Sequence, residues 1–179
     1  MDRLPALLAS TAMGVYLLLV VGATTAVTGA ADACVGWPLC DGGLATTGPA
    51  LVALGHRAVA VAVGLLVLVT AGVAVTERPS RRVAAALATA TLLFPLQAGL
   101  GAFVATAGGD TPLVTVAGAA LAARTLHLFV GLAIFGGLLA ALAWELERRT
   151  GDPDDTPSDP PNGPGETDAP PLSEPTAPD

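Results

Sequence analysis

Apolar residues gather into four long runs, at about residues 4–27, 51–75, 83–105 and 116–144, with short breaks of Gly, Pro, Thr, Asp and Arg between them. Each run is long enough to cross a hydrocarbon core of about 30 Å, which takes about 20 helical residues. Isolated strands are excluded at that depth because their unpaired backbone groups would face lipid. The pattern predicts an all-α polytopic membrane protein, a bundle of four transmembrane helices over residues 1–149. The first run shares features with a signal peptide, with Thr28-Gly29-Ala30 as a small-residue cleavage site, but it is too long for an h-region. Asp32, two residues before Cys34, argues against a lipoprotein, and the run is read as a helix.

Composition sharpens this picture. The 179 residues are 53% hydrophobic and 13% charged, with a mean hydropathy of +0.66, values that do not suit a water-soluble fold of this size. There is no lysine and few aromatics, so the apolar mass is Ala, Val and Leu with 21 glycines, a composition suited to helices packed through small residues in lipid. The net charge of -7 is unevenly spread. Residues 1–149 hold all 8 basic residues against 7 of the 15 acids, whereas residues 150–179 hold the other 8 acids and no base. A nucleic-acid partner is excluded by the lack of a basic face. Residues 150–179 also carry nine of the 15 prolines and predict a disordered, acidic, cytoplasmic tail.

Arginine placement predicts the orientation, because cytoplasmic loops near helix ends collect positive charge. Arg3, then Arg78, Arg81 and Arg82, then Arg148 and Arg149 share one side, while the stretches 28–50 and 106–115 have no basic residue. The protein is therefore expected in the cell membrane with both termini cytoplasmic and the cysteine-bearing loop outside.

Two arginines depart from this rule. Arg57 and Arg124 each lie about two turns inside a predicted helix, where a charge needs a partner or must snorkel. Each stands beside one of the chain's two histidines: His56 precedes Arg57, and His127 follows Arg124 by three residues. At 1.5 Å per residue the two imidazoles share a level roughly 8–15 Å below the outer helix ends. Two imidazoles from different helices, each with a cation nearby, meet the needs of a haem: axial nitrogens for iron, and guanidinium groups for the propionates. The competing explanation is that each histidine makes an interhelical hydrogen bond and each arginine snorkels. Zinc is disfavoured, since no Cys, Asp or Glu lies inside a predicted helix to complete a tetrahedral set.

The third run passes Gln97, Gly99 and Gly101 at about the same depth. Glycines there admit a flat macrocycle and Gln97 offers a polar contact, although small-residue packing explains the glycines equally well. Pro95 is expected to kink this helix. In the first outer loop Cys34 and Cys40 enclose Trp37 and Pro38. In an oxidising compartment the pair can form a disulfide staple or exchange electrons with a thiol carrier or a cofactor, and spacing alone leaves both open.

Taken together, Cys34, Trp37, Pro38, Cys40 and Gly42, the pair His56-Arg57, the segment 97–101 and His127 resemble the haem A synthase family, whose members oxidise a methyl group of haem O to the formyl group of haem A for terminal oxidases. The resemblance covers about residues 24–137 and is to one half of an eight-helix enzyme, as in short archaeal forms. It implies His56 and His127 as axial ligands to the iron of a haem (haem b, haem O or haem A), and Cys34 and Cys40 as a disulfide involved in electron transfer. It also implies company in the membrane: a homodimer or second half-length subunit, and haem O synthase or the terminal oxidase. The family's Glu-x-x-His-Arg pattern is broken, because Ala53 stands where the glutamate belongs. A bis-His membrane cytochrome, or a haem-delivery and oxidase assembly factor without turnover, is therefore the alternative. A quinone-linked thiol oxidoreductase would need a second cysteine pair.

Overall fold

The computed structural model describes residues 3–40, 43, 47–106 and 113–150. Four helices make up almost all of this: α1 (Arg3–Val27), α2 (Gly48–Glu77), α3 (Arg81–Thr106) and α4 (Leu113–Thr150). All four have spans long and apolar enough to cross a membrane, and the protein is an all-helical, multi-pass membrane protein as the hydropathy pattern predicts. The predicted tail lies, from residue 151 onward, outside the described residues.

Three helix ends extend three or more residues beyond the predicted runs, the start of α4 at Leu113 among them. α2 begins three residues early, at Gly48, with Pro49 in its first turn, where a missing N–H costs nothing. α4 continues past Trp144 to Thr150, so Arg148 and Arg149 lie in its last turn rather than beyond it. This overturns the expectation that no helix carries a carboxylate: Glu145 lies within α4 and is only 1% exposed. Arg148 grips both its oxygens (Nη2–Oε1 2.7 Å, Nε–Oε2 3.2 Å) and Arg149 Nε donates to Oε1 at 3.0 Å. These partners sit one turn on along the same helix, and they let the helix outlast its apolar run.

Each helix buries one narrow stripe spaced by three and four residues: Leu4, Leu8, Ala12 and Val15; Val63, Val67 and Ala74; Val83, Leu87 and Ala90; Val130, Ile134, Leu138 and Ala141. The remaining faces expose large apolar side chains, among them Leu65, Leu68, Leu92 and Phe129, as lipid-facing surfaces do. α1 packs on α2 and α4, and α3 on α4 and α2. The diagonal pairs α1 with α3 and α2 with α4 do not meet among the described residues.

Neighbours run antiparallel, as cross-helix contacts show. Thr11 Oγ1 of α1 lies 2.7 Å from Thr70 Oγ1 of α2, and each hydroxyl also reaches the carbonyl one turn back, at Leu7 (2.7 Å) and Leu66 (2.8 Å). Further along, Gly14 sits against Val63, and Tyr16 of α1 lies over Phe135 of α4 with ring centroids 6.0 Å apart. One end of the bundle therefore gathers Arg3, Arg78, Arg81, Arg82, Arg148 and Arg149. The opposite end carries the cysteine loop. α3 runs as one helix through Pro95.

The α2–α3 seam closes where Phe94 lies over Gly64. A Cβ at position 64 would stand 2.7 Å from Phe94 Cε1, whereas one at Gly72 would meet nothing within 4 Å. Gly64→Ala is expected to lower stability by about 1–3 kcal/mol through overpacking, and Gly72→Ala to leave it unchanged or slightly raised. Thermal unfolding of both variants in detergent checks this.

Candidate functional site

Near the cysteine-loop end, α2 brings in His56 and α4 brings in His127 from diagonal positions across the bundle. Each imidazole rests against a glycine of the neighbouring helix. A Cβ on Gly22 of α1 would lie 3.0 Å from His56 Cε1, and one on Gly101 of α3 would lie 3.1 Å from His127 Cε1. Larger residues there would push the rings out of place. Both rings are partly buried.

His127 is held on both sides by one residue. Its Nδ1 is 3.1 Å from the main-chain oxygen of Gln97, and its Nε2 is 3.4 Å from the Gln97 side-chain nitrogen. A carbonyl can only accept and an amide nitrogen can only donate, so the neutral ring carries its proton on Nδ1 and presents a lone pair at Nε2. An imidazole prepared as a metal ligand has this form, its second nitrogen donating to a backbone carbonyl. His56 contrasts with it, because its Nδ1 is buried without a hydrogen-bond partner, as is Gln97 Oε1. Gln97 has room because Gly131 of α4 faces it: a Cβ there would stand 3.0 Å from Gln97 Nε2 and 3.1 Å from Leu19 Cδ2.

The two arginines sit at the rim. Arg57 reaches into the cysteine loop, with Nη2 donating to the Cys34 carbonyl (2.9 Å) and Nη1 to that of Pro38 (3.1 Å). Arg124 lies 3.7 Å from Asp32, with both side chains largely exposed (55% and 74%). Cys34 and Cys40 form a disulfide with Cα atoms 4.7 Å apart. Trp37, on a cis bond to Pro38, is exposed, and Gly36 N–H bonds the Ala105 carbonyl at the end of α3 (3.4 Å). Beneath the loop, Ala30, Cys34, Ala50 and Ala53 form a small buried cluster. Position 53, where the resembled family has glutamate, is 3% exposed within that cluster.

The structure thus brings His127, Gln97 and Gly101 together, sets His56 against Gly22, ties Arg57 to the disulfide loop, and leaves Gly99 on an exposed face with open space beside it. Sequence reasoning missed Gly22, Gly131 and the pairing of Arg124 with Asp32. Matching glycines to the depth of the histidines would have pointed to Gly22. Nothing in the sequence pointed to Gly131. Among the described residues no group of three or more His, Cys, Asp or Glu could hold a metal ion. Gly42 lies outside the described residues.

Two partly buried imidazoles on the helices of a multi-pass bundle, near a disulfide-closed loop, define a membrane protein with a candidate interior site. Residues 45–165 match the family COX15-CtaA, cytochrome oxidase assembly protein, and the chain belongs to that family, which includes haem A synthase. The matched stretch holds His56, Arg57, Gln97, Arg124 and His127 and begins after the cysteine loop.

The relatives carry the name of another step. A protein from Haloquadratum walsbyi named protoheme IX farnesyltransferase is 48% identical over 174 residues, covering 96% of this chain and 34% of its own length. Proteins of the same name from Haloarcula marismortui (49% over 152 residues; 84% and 30%) and, as protoheme IX farnesyltransferase 1, from Natronomonas pharaonis (50% over 155 residues; 87% and 31%) are similar. The chain spans about a third of the length of these relatives.

Arg57→Lys keeps the charge but replaces a planar fork with a single point of donation, so one of the two loop carbonyls loses its partner. Each such bond is worth about 0.5–1.5 kcal/mol. Arg57→Lys is expected to lower the melting temperature slightly and Arg57→Leu more, with faster proteolysis between residues 34 and 47 in both. Identical melting and cleavage in all three proteins would rule the tie out.

Proposed function

We propose that the bundle holds a haem between His56 and His127 and serves haem A biosynthesis by oxidising the haem O methyl group to the formyl group of haem A. His127 carries this reading: its Nδ1 proton is anchored on the Gln97 carbonyl and its Nε2 lone pair meets only the long contact from the Gln97 amide, while the second imidazole, His56, has a buried Nδ1 with no partner. Membership in a family of oxidase assembly proteins supports it.

The residues present fit a haem. His56 and His127 would supply the axial nitrogens, Gly22 and Gly101 let both rings lie close to the backbone, and Gln97 offers polar contact. Arg57 and Arg124 would receive the propionates at the rim. The exposed pair of Arg124 with Asp32 is weak and yields readily to a better anion. Once bound, haem supplies the redox chemistry of its iron. The arginine-rich end would face the cytoplasm with both termini, and the Cys34–Cys40 loop would lie in the oxidising space outside.

A second reading, a bis-His membrane cytochrome or haem-delivery factor without turnover, is favoured by position 53. Ala53 is sealed in the loop cluster, and the carboxylate described at that end, Asp32, lies exposed against Arg124. The relatives fit either reading. Farnesyl transfer to protohaem makes haem O, the substrate of the methyl oxidation, so a haem O synthase is the natural partner. A homodimer, a second half-length subunit or the terminal oxidase are others.

The visible spectrum of the detergent-purified protein tests the shared premise: a low-spin haem signal is expected in the parent and its weakening or loss in His56→Ala and in His127→Ala. Haem extracted from membranes of a deletion strain separates the two readings. Loss of haem A with accumulation of haem O is expected of the enzyme, and an unchanged haem profile would reject it.

A further inference from the structure

We propose that the Gln97 side chain is a latch on His127, occupying the ligating nitrogen until a haem displaces it. The inference rests on the haem-binding reading and assigns Gln97 a positioning role within it. One residue makes two contacts of different kinds. The main-chain oxygen of Gln97 receives the Nδ1 proton at 3.1 Å, and this contact can persist when Nε2 binds a metal. The side-chain amide donates to Nε2 at 3.4 Å, on the lone pair an iron would need, so this contact cannot persist. At that distance the bond is long and weak. The amide's other end is unsatisfied, since Gln97 Oε1 is buried without a partner.

An amide held by one long hydrogen bond, with its oxygen left over, is poised to leave. Its position depends on a second residue, because Gly131 provides the space it occupies: a Cβ there would press on Gln97 Nε2 at 3.0 Å. Leu19 lies against the same glycine at 3.1 Å, so a side chain at position 131 is confined on both sides. In the absence of ligand the latch gives Nε2 a partner, which an apolar interior does not otherwise provide. It also keeps the ring in the ligating tautomer. Haem loading then breaks one bond and keeps the other, so His127 receives the ligand without turning its ring.

Two variants remove the latch by different routes. Gln97→Leu deletes the amide but keeps the main-chain oxygen, and Gly131→Ala crowds the amide off the imidazole. Ferric protoporphyrin IX is titrated into the detergent-purified full chain, and the imidazole nitrogens of the ligand-free proteins are observed by NMR after labelling histidine with nitrogen-15. Gln97→Leu is expected to bind the porphyrin about two- to tenfold more tightly, the fold-change that corresponds to one released hydrogen bond, and to do so faster. Its Nε2 resonance should move while Nδ1 keeps its proton, and Gly131→Ala should move Nε2 in the same direction.

Equal or weaker porphyrin binding by Gln97→Leu, with an unmoved Nε2 resonance, overturns the latch. A proton on Nε2 of the ligand-free parent overturns it as well. If the parent binds no porphyrin, the haem-binding reading falls and the latch with it. If the parent binds and the variants match it, only the latch falls.

Discussion

The apolar medium around the spans governs this structure. A polar group inside a hydrocarbon layer can be satisfied only by another part of the protein. Nearly every interior polar feature here follows from that. Thr11 turns to Thr70 and to its own helix, Glu145 is enclosed by Arg148 and Arg149, and Arg57 spans two loop carbonyls. Where nearly everything is paired, the exceptions carry information. Among the described residues, His56 Nδ1 and Gln97 Oε1 are the two buried side-chain atoms left over, and they lie on residues of the candidate site. The rule that shapes the bundle therefore also marks where it departs from self-sufficiency.

Much of the architecture was legible in the chain because hydropathy reports directly on lipid exposure. The four spans and the pair of histidines could be read from position alone. What could not be read was how neighbours share space. A glycine in an apolar helix does not reveal which side chain it accommodates, so Gly131 was invisible until the helices were packed. The end of α4 shows the converse limit. Hydropathy stops at Trp144, but a helix needs only satisfied backbone and side-chain groups to continue, and Glu145 with its two arginines supplies the side-chain part. Arg57 was read as a cation awaiting an anion, yet its guanidinium found carbonyl oxygens. A sequence counts charges but does not show where chain dipoles converge.

The family and the relatives illuminate different parts of the molecule. The stretch that matches the oxidase assembly family holds both imidazoles, Gln97 and both rim arginines. The relatives, about three times as long, carry a similar segment within proteins named for farnesyl transfer to protohaem. Under the proposed function the two names describe consecutive treatments of one pigment too apolar to diffuse freely through water. Physical linkage of consecutive steps would shorten its path.

The Thr11–Thr70 contact sets a different limit on the bundle. Three short oxygen–oxygen approaches join two hydroxyl groups and two carbonyls, yet the hydroxyls own only one proton each. At any instant one approach goes without a hydrogen, and the vacancy can move among them by rotations about Cβ–Oγ bonds. α1 and α2 are thus fastened by a clasp with degenerate settings, firm in axial alignment and tolerant of slight rocking. A pivot of that kind, far from the imidazoles, lets the opposite end breathe around a bulky guest without the two helices sliding out of step.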